Sequence, residues 1–213
     1  MSTASRSPVA RLFDAASRLY DTEVLQRLIY RPNQDLVLAE LKASGAQRIL
    51  DVGCGTGIFA TRVTDELETR LVIGCDLSEG MLAQAAARSS KPTWVQSDAT
   101  RLPIAASTID AVTCTEAFHF FDQPAALREF HRVLRGGGQL LLAFVNPRTK
   151  LGSRAVSAQA SRALGGAGTW PTQGEMKRLV VDAGFDVRSQ RRVSRIFGRT
   201  IPTILTSAIR PQG

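Results

Sequence analysis

Histidine and cysteine are scarce in this chain, and neither is spaced to hold a metal. There are two histidines, His119 and His131, and three cysteines, Cys54, Cys75 and Cys114. No C-x-x-C pair occurs and the count is odd, so the cysteines read as buried thiols of a reducing compartment, not as disulfides or zinc ligands. No metal site is expected. No run approaches the roughly 18 apolar residues of a membrane span. With 44% hydrophobic and 22% charged residues, the composition is that of a soluble, cytoplasmic globular protein. No internal repeat or linker is visible, and 213 residues fit one domain with a substantial core.

Acidic residues are also in deficit. Against 27 Lys+Arg stand 19 Asp+Glu, a formal net charge of +8. Many arginines lie late: Arg188, Arg191, Arg192, Arg195, Arg199 and Arg210. Such a face could draw an anionic substrate, nucleic acid or, peripherally, an acidic membrane surface. Aromatics are few, at 6%, and are not interleaved with the arginines as RNA binding would need, which argues against nucleic acid and for a solvated basic surface.

What is present is a glycine cluster between an apolar run and a helical pattern. Ile49 to Ala60 reads ILDVGCGTGIFA: a buried strand, a tight turn with Gly53, Gly55 and Gly57, and a helix start. Glycine suits a turn that a side chain would block, or a close-lying ligand. The turn's backbone N–H groups are expected to be unpaired and to face a polar ligand at the strand's carboxyl end. The spacing is G-x-G-x-G, not the G-x-G-x-x-G of dinucleotide sites, and Asp51 precedes it. A second apolar run, Leu71 to Cys75, ends at Asp76, about twenty residues on, where a carboxylate can accept from both ribose hydroxyls of a nucleoside. Asp76 also fits as a residue that ends the strand and lets Ser78 cap the next helix.

From Arg48 onward strand and helix alternate, which predicts an α/β fold with a doubly wound parallel sheet. Strands are expected at Arg48–Val52, Arg70–Cys75, Thr93–Gln96, Ile109–Cys114 and Gly138–Phe144, with a final pair at Phe185–Val193 and Pro202–Ile209. Helices are expected at about Gly57–Glu68, Glu79–Arg88, Pro124–Leu134 and Gln173–Ala183. Before the sheet, apolar residues recur at helical spacing over Val9 to Tyr20. A second helix is expected from Thr22 until Arg31-Pro32 stops it. A third is expected over Asn33–Ser44, with Asn33 as cap and Gly45 as its end.

Asp51-x-Gly53-x-Gly55-x-Gly57 with Asp76, then Val95-Gln96-Ser97-Asp98-Ala99, then Arg132-Val133-Leu134-Arg135-Gly136-Gly137-Gly138, resembles the class I S-adenosylmethionine-dependent methyltransferases. The nearest subgroup is the small-molecule one, similar to the ubiquinone and menaquinone C-methyltransferases. The likeness is strong over Arg48 to Phe144 and weaker over Trp170 to Arg210. It implies a Rossmann-like, seven-stranded, mostly parallel sheet. It also implies one domain: a helical cap over 1–44, a cofactor core over 45–145, a substrate lid over 146–170, and a helix with a strand pair over 171–213. The cofactor implied is S-adenosyl-L-methionine. Its implied set is Tyr20, Asp51, Gly53, Cys54, Gly55, Gly57, Asp76, Leu77, Met81, Asp98, Ala99 and Thr115. Within that set the turn takes the methionine part, Asp76 the ribose diol, and Asp98-Ala99 the adenine edge. Tyr20 fits equally a tyrosine near the methionine end and a core aromatic. Arg135 and Gly136 replace the family's usual lysine and proline.

The loop after the fourth strand, Thr115-Glu116-Ala117-Phe118-His119-Phe120-Phe121-Asp122, carries the reaction candidate. Ligands in such sheets bind where the strand order switches, here between the first and fourth strands. His119 is therefore placed to act as a base with a near-neutral pKa, or else packs against Phe118 and Phe120. His131 reads as structural. Phe118, Phe120, Phe121 and Trp170 could wall an aromatic, quinone-like or lipid-like acceptor. The expected partner is a small-molecule methyl acceptor. An RNA or protein methyltransferase is the alternative, weakened because no N-P-P-Y or Pro-Cys motif occurs. An NAD-dependent dehydrogenase is a second, and the glycine spacing opposes it. A non-catalytic binding module is opposed by the complete set of cofactor residues.

Overall fold

A computed structural model describes residues 30–147, 151–152, 154–155, 158, 168–193 and 203–212. Tyr20, the helix expected to end there, the second helix up to Tyr30, and most of the expected lid lie outside the described residues. So do Arg195, Arg199 and Pro202. Among the described residues no helix is long and apolar enough to cross a membrane.

The sheet has seven strands. In chain order they are β1 (Arg48–Val52), β2 (Leu71–Asp76), β3 (Thr93–Gln96), β4 (Ile109–Thr115), β5 (Leu134–Val145), β6 (Asp186–Arg192) and β7 (Thr203–Ile209). Their spatial order is β3-β2-β1-β4-β5-β7-β6. The first five pair in parallel, and β7 runs antiparallel to both β5 and β6. Helices α1 (Arg31–Ser44), α2 (Ile58–Glu66), α3 (Glu79–Arg88), α4 (Gln123–Val133) and α5 (Gln173–Asp182) flank it.

Chemistry explains the layering. The inner strand β5 carries Leu140-Leu141-Leu142-Ala143-Phe144, every residue fully buried, because a sheet of this kind is covered on both faces. One apolar layer holds Leu50, Val112, Leu142, Phe118 and Phe130. The opposite layer holds Ile49, Ala111, Leu141 and the apolar stripe of α1 and α2. The edge strand β6, DVRSQRR, is polar and largely exposed, which discourages edge pairing with another chain.

The start of α1 departs from expectation. Arg31-Pro32 opens the helix: Pro32 stands in the first turn, where its missing N–H costs nothing. Asn33 is therefore no cap. It sits inside the helix, fully buried. Gly45 does end the helix, in the left-handed conformation at φ 63°. Late arginines are less free than their number suggests. Arg210 donates to the carbonyls of His131 (2.9 Å) and Leu134, holding the end of α4, and Arg191 pairs with Glu40 of α1. Arg188 and Arg192 are exposed.

Candidate active site

The switch in strand order falls at β1, whose neighbours are β2 and β4. The glycine turn sits at its carboxyl tip. Gly53, Gly55 and Gly57 all have positive φ, at 72°, 55° and 75°, a region that L side chains enter only at a cost. The three serve different ends. A methyl on Gly53 would lie 2.4 Å from the Ala117 side chain, and one on Gly57 would lie 2.4 Å from Trp94 and 2.8 Å from Ala85. A methyl on Gly55 would meet nothing within 4 Å. The outer two glycines permit close packing, and the middle one leaves open space for a ligand.

The amides of the turn are not unpaired, contrary to expectation. Gly53 and Cys54 both donate to the Cys75 carbonyl, at 2.8 and 3.0 Å, and Gly57 donates to the Cys54 carbonyl at 3.0 Å. Gly55 donates to Oδ2 of Asp76 at 2.9 Å. The turn folds back over the end of β2, so three of these donors are absorbed by the Cys75 carbonyl and the Asp76 carboxylate. This stitches the first two strand tips together. Asp76 also accepts from the Ser78 amide at 2.9 Å through Oδ1. Ser78 caps α3 as expected, accepting from the Met81 amide at 3.0 Å.

Beneath the turn Asp51 is 2% exposed, and its Oδ1 accepts from the Thr113 hydroxyl at 2.8 Å. Burial, opposed by that bond and reinforced by the charge of Asp76, pushes its carboxyl up to about 7. Burial also raises the thiols of Cys54, Cys75 and Cys114, which are free and buried and hence unreactive. Beside Asp76, Leu77 is 41% exposed, an apolar surface open at the site's edge. Met81 and Ala99 are buried. Asp98 is exposed and folds onto Thr100, accepting from its amide (2.8 Å) and its hydroxyl (2.7 Å).

The tip of β4 forms the other wall. Thr115 is half-buried, and Glu116 follows with φ 56°. His119 lies in a short helical turn, Phe118–Phe120. Its ring stacks on Trp170, with centroids 4.4 Å apart at 26°, and contacts Phe120 at 4.0 Å. The clamp is held by backbone bonds: Thr169 donates to the His119 carbonyl and Gln123 to the Thr169 carbonyl, each at 2.8 Å. Asn146 holds the Pro171 carbonyl at 2.8 Å. The near-neutral pKa expected of His119 does not hold: burial lowers it to about 3, because this apolar cage disfavours an imidazolium. Its Nδ1 is buried with no hydrogen-bond partner. Phe118 is fully buried in the core against Phe130 and Phe144, so it is no part of an acceptor wall. His131 packs edge-on against Phe185, away from the strand tips.

Two residues of this region escaped the sequence reading. Asn33, brought in by α1, donates its side-chain amide to Oε1 of Glu116. Pro32 as a first-turn signal would have placed Asn33 inside a helix, but its meeting with Glu116 spans 83 positions and leaves no local pattern. Trp94, which fills the space over Gly57 and Gly74, reads in sequence only as a strand aromatic.

Comparison with known proteins agrees with this fold. The methyltransferase-domain family model matches residues 50–142. A demethylmenaquinone methyltransferase of Mycobacterium tuberculosis is 36% identical over 163 residues, 73% of this chain and 67% of that one. The corresponding protein of Mycolicibacterium vanbaalenii is 32% identical over 206 residues, 84% of this chain and 87% of that one. Among solved structures, geranyl diphosphate methyltransferase in complex with GPP and sinefungin superposes with a TM-score of 0.80 at 16% identity, covering 96% of this chain and 98% of that one.

Proposed function

Since this chain belongs to the class I S-adenosylmethionine-dependent methyltransferases, with small-molecule members among its relatives, we propose that its acceptor is the reduced ring of a naphthoquinone and that a ring carbon receives the methyl group. The observation that carries this reading is the likeness to demethylmenaquinone methyltransferases, which spans 87% of one relative's length and so extends past the cofactor core. The wall of His119, Phe120 and Trp170 supports it, since flat rings pack well against a planar acceptor.

The residues present fit the cofactor. Gly55 leaves open space, Asp76 sets a carboxylate, the acceptor a ribose diol needs, at the end of β2, and Leu77 offers an apolar face for a purine. In this reading Gly55, Asp76, Leu77 and the exposed Asp98 touch the adenosyl part. Asp51 and Cys54 underlie the methionine part beside Thr115, and Ala99 and Met81 back the base from below. When bound, S-adenosylmethionine supplies a methyl group already activated by its positive sulfur. The protein's contribution is therefore alignment and exclusion of water. Asp51, poised to ionise near pH 7, gains its charge more readily beside a cation. His119 stays neutral, since burial deprives it of the basicity to hold a proton.

The test is methyl transfer from labelled S-adenosylmethionine to a chemically reduced, prenylated 1,4-naphthoquinone. Label is expected on the ring of the quinone product. Binding of S-adenosylmethionine with no transfer to this ring would refute the acceptor while leaving the family untouched.

A further inference from the structure

We propose that Glu116 is the group that takes the hydroxyl proton of the methyl acceptor, with Asn33 as its positioning residue; the inference rests on the naphthohydroquinone reading above. Three observations converge on the pair. Glu116 is held at φ 56°, and among the described residues Ser107, in an exposed turn, is the one other non-glycine residue at positive φ. A side chain kept in the left-handed region at a strand tip is strain that glycine would relieve, and such strain gathers at functional positions. Its backbone is pinned there: the amide donates to the Ala143 carbonyl of β5 at 2.8 Å, and the next residue, Ala117, lies against Gly53 of the cofactor turn.

The second observation is Asn33. It is fully buried, and its Nδ2 donates to Oε1 of Glu116. A carboxylate only accepts, so this bond fixes which way the amide faces and leaves Oδ1 as an acceptor. That Oδ1 is buried without a hydrogen-bond partner. A buried acceptor without a donor is costly and needs an explanation. Here a carboxylate at the tip of β4 meets a buried orphan carbonyl, and the complement of two acceptors is a hydrogen-bond donor.

The third is elimination among the crevice's titratable groups in the described residues. Asp51 lies under the turn, tied to Thr113. Asp76 holds Gly55 and Ser78. His119 is caged by Phe120 and Trp170. Glu116 is half-buried and stands between the glycine turn and that cage in the chain. In the reaction, Glu116 accepts the proton of one ring hydroxyl and the freed electron pair moves into the ring. The adjacent ring carbon forms the new bond to the methyl carbon, and the pair of the broken carbon–sulfur bond stays on sulfur. The ring carbon then loses its hydrogen as a proton to water, and Glu116 returns its own proton to the oxygen. One proton is released per turnover.

The experiment uses the full chain saturated with S-adenosylhomocysteine, with 2-methyl-1,4-naphthohydroquinone and its dimethyl ether as probes. Wild type is expected to bind the hydroquinone at least about tenfold more tightly than the ether, which has no donor. Glu116→Gln and Glu116→Gly are expected to lose that preference while keeping wild-type affinity for S-adenosylhomocysteine. With S-adenosylmethionine their turnover should fall roughly 100-fold, and Glu116→Asp should recover part of it. Glu116→Gly should melt no lower than wild type, since the strain goes with the carboxylate. Asn33→Ala should lower kcat with little change in KM. If wild type methylates the hydroquinone and Glu116→Gln or Glu116→Gly does so equally well, the proposal is overturned and the acceptor stands. If wild type neither binds nor methylates the hydroquinone, the acceptor reading fails and takes this proposal with it.

Discussion

The crevice has two walls of different construction. The wall at the tips of β1 and β2 is made of backbone: a glycine turn whose amides close onto Cys75 and Asp76, within about 25 residues of chain. The wall at the tip of β4 is made of side chains gathered from afar. Asn33 reaches Glu116 across 83 positions, and Gln123 clamps Thr169 across 46. In the proposed reading the first wall holds the cofactor, and it needs little beyond tight turns and one carboxylate. The second is the one proposed to meet the acceptor, and its shape depends on how distant segments pack.

The sharpest way to break this contrast is within the glycine turn itself. Gly57→Ala should cost about 3 kcal/mol of stability or more, from backbone strain plus collision with Trp94. Gly55→Ala should cost only about 1–2 kcal/mol, from strain alone, yet weaken S-adenosylmethionine binding at least about tenfold. Urea unfolding and calorimetry on both variants would check this. Equal stability losses with unchanged affinity would erase the distinction between packing and ligand-facing glycines.

A second comparison sets the two walls against pH. Asp51, raised from 3.8 to about 7, binds its proton more tightly when folded. Its contribution to stability is complete below about pH 4 and is lost as pH rises through 7. His119, lowered from 6.5 to about 3, has the opposite sign: its contribution is complete above pH 6.5 and is lost as pH falls towards 3. Each slope approaches about 1.4 kcal/mol per pH unit at most. In unfolding curves taken from pH 4 to 8, Asp51→Asn should flatten the decline on the alkaline side. His119→Phe should flatten the decline on the acid side. Identical profiles for both variants would show that neither group titrates as its surroundings require.

Smaller effects come next. Asp76→Ala should weaken S-adenosylmethionine at least about tenfold, near 1.4 kcal/mol, by removing a charged acceptor and loosening Gly55. Affinity equal to wild type would remove Asp76 from the ribose site. Last, Arg191→Ala, which breaks an exposed pair with Glu40, should change stability by less than about 1 kcal/mol. A larger loss by urea unfolding would mean that this contact, not apolar packing, docks α1.

Much of the first wall was legible because its signals are short-range. Three glycines at alternate positions can serve few purposes, and an acid ending the next strand completes the pattern. Strand bounds agreed within a residue where the apolar run was clean, as at Arg48–Val52 and Thr93–Gln96. The pairing of the turn's amides was not legible, since it depends on β2 passing close beneath the turn. Nor was the loss of basicity at His119. The sequence shows aromatic neighbours on the same loop, but Trp170, which completes the cage, comes 51 positions later, held there by hydrogen bonds to Thr169 and Pro171.

By itself, the order of residues determined the α/β alternation, the glycine turn and the carboxylate at Asp76, because each is set by neighbours a few positions away. The tertiary structure alone decided which glycine stays open, that Asp51 and His119 shift in opposite directions, and that Asn33 meets Glu116. Those outcomes depend on burial and on contacts between distant segments, and desolvation has no counterpart in local sequence.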